Sequence, residues 1–197
     1  MQTDTEHKSS TVAGLVLAAG FSRRFGSDKR CAHLSNGQTL LAASMELPCA
    51  RLEQVCVVLR PEDDCNALGV PASAQVASSA HSEQGMGHSL ACGVDHVSRK
   101  TSATAIAVFL GDMPWISASS LDYLLALASP EHIVVPTYLE QPGHPVLFGR
   151  MFWPALQGLA GDMGATPLIR ENPQAVRYLP LNDPGILRDV DAPEFLQ

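Results

Sequence analysis

Residues 12–30, V-A-G-L-V-L-A-A-G-F-S-R-R-F-G-S-D-K-R, constrain this chain more than any other stretch. An apolar run from Val12 to Ala19 has the length of a buried strand, and it empties into Gly20, Ser22 and Gly26 before reaching Lys29. The pattern predicts a strand that feeds a flexible, cationic loop. Ala18, Ala19 and Gly20 put no bulk between backbone and ligand, so main-chain N–H groups can wrap the oxygens of a phosphate. Arg24 and Lys29 would supply charge. Four of the thirteen Lys and Arg residues (Arg23, Arg24, Lys29 and Arg30) fall in this loop, although the chain carries a formal net charge of −7. A local anion site in an acidic protein is the inference, with a merely solvated surface turn as the alternative. Two common phosphate loops are excluded. Gly26 is followed by Ser27 and Asp28 where G-x-x-x-x-G-K-[ST] needs Lys and then Ser or Thr, and no G-x-G-x-x-G occurs.

At 197 residues and 46% hydrophobic content, one domain with one core is expected over residues 12–197, behind a polar N-terminal tail at residues 1–11. The acidic balance argues against a nucleic-acid partner, which needs a wide basic face. No run reaches the ~18 apolar residues of a membrane span. Val12 to Gly20 is short for a secretory leader, and Asp4 and Glu6 precede it. The five cysteines (Cys31, Cys49, Cys56, Cys65 and Cys92) are odd in number and form no C-x-x-C pair. Free thiols in a reducing cytoplasm are the expectation, not disulfides or zinc.

Further along, Gln38 to Leu47 has apolar residues at helical spacing and should stop at Pro48. Gln54 to Leu59 reads as a second strand, with Arg60 emerging from its carboxyl end as a solvated loop residue. Strand, loop, helix, strand is the rhythm of a right-handed crossover unit. A short strand at Ala74 to Ala77 precedes Gly85 and Gly87, which open a helix running past Ser89 to about Val97. Thr104 to Leu110 is the clearest strand, and it ends in Gly111-Asp112-Met113-Pro114. An Asp just beyond a central strand lies where open α/β sheets bind ligands, so Asp112 is the first metal-ligand candidate; capping the next helix is its alternative. That helix spans Ser117 to Ala128, and Ile133 to Pro136 is a strand. Tyr138 to Phe148 reads as a hairpin around Gln141-Pro142-Gly143, outside the parallel core. Met151 to Leu159 should be a helix, with Asp162 capping another at Ala165 to Arg170. Val176 to Leu181 and Ile186 to Val190 are the last strand candidates, and alternation puts Asp189 and Asp191 on one side of an extended chain.

Leu17-Ala18-Ala19-Gly20-x-Ser22-x-Arg24-Phe25-Gly26-x-x-Lys29 resembles the L-A-[AG]-G-x-S-x-R-[FM]-G-x-x-K signature of nucleotidyltransferases that join a nucleoside triphosphate to a phosphorylated acceptor. Gly111-Asp112-Met113-Pro114, His144-Pro145-Val146-Leu147-Phe148, Gly161-Asp162-Met163-Gly164-Ala165-Thr166 and Asp189-Val190-Asp191-Ala192-Pro193-Glu194 extend the resemblance to the molybdenum cofactor cytidylyltransferase and guanylyltransferase family. Thr166 stands where that family has Arg, and Ala192 where it has Thr.

The resemblance implies a three-layer α/β/α, Rossmann-like fold, with a mainly parallel sheet and an inserted β-hairpin, of the nucleotide-diphospho-sugar transferase type. It also implies transfer of CMP from CTP to the phosphate of molybdopterin, with release of pyrophosphate and dependence on Mg²⁺. Leu17, Ala18, Ala19, Gly20, Ser22, Arg24, Lys29, Gly85, Ser89 and Asp112 would bind nucleotide, with Lys29, Arg24 and Asp112 catalytic. Gly143, His144 and Asp162 would face the acceptor. Asp112 and Asp191 would hold the metal, with Asp189 the runner-up. Ala19 resembles the cytidine-using type, and Gly there the guanosine-using type. Transient contact with a molybdoenzyme or its chaperone is implied as well. GTP as donor, another phosphorylated acceptor (a sugar phosphate, methylerythritol phosphate or phospholactate) and a non-catalytic binding protein stay open.

Overall fold

β1 (Val12–Leu17) sends alternate side chains into two separate cores, Leu15 into one and Val16 into the other, and the rest of the fold is arranged on either side of it. The computed structural model describes residues 12–21 and 25–191. The expected tail, Ser22, Arg24 and the segment from Ala192 onward lie outside the described residues.

β2 (Val55–Leu59) and β4 (Ala105–Leu110) flank β1, both parallel to it, and β3 (Gln75–Ser78) adds parallel to β2. β1, β2 and β4 are buried on both faces, which is why they read as continuous apolar runs, whereas β3 at the sheet's edge buries only Ala77. β5 (Ile133–Tyr138), β6 (Gln141–Pro142), β7 (Val146–Gly149) and β8 (Val176–Pro180) complete the sheet. The order is β3-β2-β1-β4-β7-β5-β6, and β8 lies parallel to β5.

α1 (Leu40–Arg51), α2 (Cys65–Leu68) and α4 (Ala118–Ala126) cover one face of the sheet, where Leu41, Met45, Leu68, Leu121 and Leu124 pack on Val16, Val57, Ala107 and Phe109. α3 (Met86–Ser98), α5 (Trp153–Gln157) and α6 (Thr166–Glu171) cover the other, with Leu90, Val94, Trp153, Leu156 and Leu168 against Leu15, Val58, Ile106 and Phe148. This is a three-layer α/β/α arrangement with a mostly parallel, mixed sheet. Among the described residues no helix is long and apolar enough to cross a membrane.

Four local expectations are corrected. α1 runs through Pro48 to Arg51, because the proline is buried and the burial of Leu41, Met45 and Leu52 outweighs the helical bond that its missing N–H forfeits. The hairpin turns at Leu139 and Glu140, both with positive φ (47° and 65°), a two-residue turn whose twist suits the flanking strands; Pro142 sits in the short edge strand β6. Its return strand β7 is not outside the core but pairs antiparallel between β4 and β5, since Val146, Leu147 and Phe148 are apolar enough to be buried on both faces. Ile186 to Val190 is no strand: a 3₁₀ turn occupies Pro184–Ile186, held by the Gly185 N–H donating to Asp183 Oδ1 at 2.9 Å.

Candidate active site

Strand order reverses between β1 and β4, so their carboxyl ends open a crevice where the connections diverge to opposite sides. A cavity of about 450 Å³ lies there, lined by Leu17, Ala18, Ala19 and Gly20 from the first loop, Leu110, Gly111 and Asp112 from the second, and Gly85 and Ser89 at the start of α3. Lys29 lines it as well.

Lys29 begins a 3₁₀ turn (Lys29–Cys31) capped by Asp28, whose carboxylate accepts the Arg30 backbone N–H at 3.1 Å. Its ammonium donates to Asp112 Oδ2 at 2.6 Å and to the Val190 carbonyl at 3.0 Å, and lies 4.0 Å from Asp191 Oδ1. Asp112 is anchored from its backbone too, because its carbonyl accepts the Val190 N–H at 3.1 Å. The 181–191 segment is thereby strapped across the end of β4 and holds Asp191 beside Lys29, which lines the cavity. Asp189 follows the same strap, and burial together with the Asp191 and Asp112 carboxylates raises its carboxyl above the ordinary range.

Among the described residues no group of three or more His, Cys, Asp or Glu side chains is spaced to hold a metal. Asp112 and Asp191 with a cation already between them nevertheless fit one, since Mg²⁺ is commonly bound through one or two carboxylates plus substrate phosphate and water. The helix-capping alternative for Asp112 fails: Ser117 caps α4, and Asp183 supports that cap by accepting the Ser117 N–H at 2.9 Å and the Ser120 hydroxyl at 2.7 Å.

The residues expected at the acceptor do not stay together. Asp162 lines the same cavity as the first loop, because its turn is locked to the start of α3: the Gly87 N–H donates to the Gly161 carbonyl at 2.8 Å. A side chain at Gly85 (φ +122°) would meet Gly161 and Asp162 at 2.3–2.4 Å. Asp162 is also not the cap of α6, whose first turn has no side-chain cap. Gly143 is packed beneath the strap, where a Cβ would come within 2.4 Å of the Ile186 carbonyl. His144 donates its backbone N–H to that carbonyl at 2.9 Å, and its Nδ1 is buried with no hydrogen-bond partner. Burial lowers the imidazole pKa from its ordinary value, although the Val108 backbone and the Asp112 and Asp189 carboxylates pull the other way.

Two features escaped the sequence. Arg60 is not merely solvated: it reaches back over the first loop and stacks its guanidinium 4.4 Å from the Phe21 ring centroid. Arg30 is 4% exposed and paired with Asp28 and Asp63, each within 2.7 Å. The only written trace is the Arg60-x-x-Asp63 spacing, with the Arg60 backbone N–H donating to Asp63 Oδ2 at 2.8 Å.

The family model described as MobA-like NTP transferase domain matches residues 14–176. The purine catabolism protein PucB of Bacillus subtilis (strain 168) is 34% identical over 197 residues, 95% of each chain. Among solved structures, the Mycobacterium tuberculosis rv0371c homolog from Mycobacterium sp. strain JC1 is 29% identical, with TM-score 0.77 over 94% of this chain and 93% of that one. Rv0371c of Mycobacterium tuberculosis H37Rv is 26% identical, with TM-score 0.80 over 95% and 96%. A further Rv0371c structure, superposing with TM-score 0.68 and 23% identity over 87% and 88%, is a complex with manganese.

Proposed function

Because this chain belongs to the MobA-like NTP transferase family and is a nucleotidyltransferase, we propose that it moves CMP from CTP to the terminal phosphate of molybdopterin and releases pyrophosphate. The observation that carries this reading is the meeting of Lys29 and Asp112 at 2.6 Å in a cavity walled by Ala18, Ala19 and Gly20. A phosphate oxygen of the acceptor attacks the α-phosphorus, the bond to the bridging oxygen breaks, and pyrophosphate leaves with that oxygen. Both reactants are anions, so the protein's task is alignment and offsetting charge, and no side chain has to act as base. Lys29 meets negative charge building on the phosphoryl oxygens, and Arg24 is assigned to the same task. Asp112 and Asp191 are the residues that would hold Mg²⁺, which when bound supplies charge neutralisation at the phosphates. The first loop and the Gly85 and Ser89 segment take the nucleotide, and His144, beneath the strap and close to Asp112, faces the acceptor side.

Choice of CTP rests on Ala19. Pyrophosphate release with molybdopterin and each of CTP, GTP, ATP and UTP in turn tests the whole assignment. Turnover with CTP is expected. Turnover only with GTP would reassign the donor, and turnover only with a different phosphorylated acceptor would reassign the substrate.

A further inference from the structure

The carbonyls of Leu17, Ala18, Ala19 and Gly20 are turned toward protein. The Leu17 carbonyl accepts the Gly111 N–H at 2.9 Å. The Ala18 carbonyl accepts Arg30 Nη1 at 2.7 Å. The carbonyls of Ala19 and Gly20 accept Arg60 Nε and Nη2 at 3.4 and 2.5 Å. A trans peptide is planar, with the C=O of one residue opposed to the N–H of the next. Each arginine contact therefore aims one amide the other way: Ala19 N–H, Gly20 N–H and Phe21 N–H point away from the guanidiniums. Among the described residues these three N–H groups have no hydrogen-bond partner, and the same residues line the cavity. Successive unpaired N–H groups form an anion-binding concavity.

The two arginines are themselves fixed. Arg30 is held between Asp28 and Asp63, and Asp63 also accepts the Arg60 backbone N–H. Arg60 lies 3.5 Å from Asp28 Oδ2 and against the Phe21 ring. Burial alone would raise the Asp28 and Asp63 carboxyls, but their bonds to Arg30 hold both below the ordinary range, so the cluster stays charged and formally neutral.

We infer that Arg60, with Arg30, is a positioning residue for the phosphates of the nucleotide: it touches no ligand but aims the loop amides that do. The inference rests on the proposed function only in taking the cavity's ligand to be a nucleoside triphosphate. A guanidinium can span two neighbouring carbonyls, whereas an ammonium is a single point of charge. Arg60→Lys therefore separates aiming from simple field effects, because it keeps the charge and loses the fork.

The experiment is titration calorimetry of CTP and of inorganic pyrophosphate against parent, Arg60→Ala and Arg60→Lys, with circular dichroism to verify folding. Both variants are expected to bind both ligands about tenfold or more weakly, the scale of one lost charge-assisted hydrogen bond. Pyrophosphate carries no base or ribose, so its loss locates the defect at the phosphates. Parental affinity in Arg60→Lys would overturn the inference, since charge alone would then suffice. Should Arg60→Ala fail to fold, Arg60→Lys decides alone. A parent that binds no nucleoside triphosphate would instead refute the proposed function.

Discussion

The ammonium of Lys29 lies 2.6 Å from the Asp112 carboxylate, across 83 residues of sequence. It joins the two ends of the crevice, one from the loop after β1 and one from the end of β4. Lys29→Ala and Asp112→Ala are each expected to lower kcat/KM about a hundredfold, close to 3 kcal/mol, the usual cost of removing one preorganised stabiliser of transition-state charge. The double variant should lose less than the product of the two, because the partners share one interaction. Pyrophosphate release under saturating Mg²⁺ checks this, and a parental rate for either single variant would remove that residue from the machinery.

Gly20 and Gly85 should respond oppositely to alanine. A Cβ on Gly20 meets nothing within 4 Å, so Gly20→Ala is expected to keep the parental Tm while raising KM for the nucleotide several-fold, as the methyl intrudes on the phosphate cradle. Gly85→Ala drives a Cβ into the Gly161 backbone at 2.3 Å, at a φ of +122°. It should lower Tm by several degrees, because strain at a packed backbone costs about 1–3 kcal/mol. Thermal melts beside nucleotide KM values distinguish the two.

The crossover rhythm was readable because β1, β2 and β4 are buried on both faces and their apolar runs have no amphipathic rival. That Lys29 and Asp112 face one crevice was readable for a related reason, since both follow the carboxyl ends of adjacent, clearly marked strands. Place in the sheet was not. β7 carries the same local signal as an outer hairpin arm, and only pairing with both β4 and β5 sets it in the middle. Arg60 was lost to the same cause: whether a loop arginine is solvated or bonded to a distant carbonyl is decided by a contact spanning about forty residues, which no local window holds. That Asp162 lines one cavity with the first loop was likewise hidden, because Gly87 and Gly161 lock two loops that sequence treats as separate.

Asp191 and Asp189 should separate in a metal titration. Asp191 Oδ1 is 4.0 Å from the Lys29 ammonium, whereas Asp189 is destabilised as an anion by burial and by its acidic neighbours. Asp191→Asn is expected to raise the Mg²⁺ concentration for half-maximal activity about tenfold or more, the scale of a lost ligand or its support. Asp189→Asn should leave that concentration within about twofold and relieve repulsion. Chelation should abolish turnover in the parent, and Mn²⁺ should restore it as Mg²⁺ does. The reverse ranking would make Asp189 the ligand.

Asp183 accepts from three donors: the Ser117 N–H and the Ser120 hydroxyl, which tie the strap to the start of α4, and the Gly185 N–H within the strap. Burial would raise its carboxyl pKa, but these bonds reverse the shift and hold it below the ordinary 3.8. A folded-state value below the unfolded one means that the unfolded chain binds more protons in the interval between them. The stabilisation is therefore complete above the ordinary value and is lost as pH falls through the folded one. Asp183→Ala leaves two buried donors and one half-buried donor without their acceptor, and should cost about 2–4 kcal/mol at neutral pH. Asp183→Asn keeps the shape and removes the titrating charge. Its stability deficit against the parent should be constant from neutral pH down to about 5 and then shrink as the parent's carboxylate protonates, so that the two urea-unfolding curves converge in acid. A deficit that persists unchanged below pH ~3 would assign the effect to packing and not to the charge on Asp183.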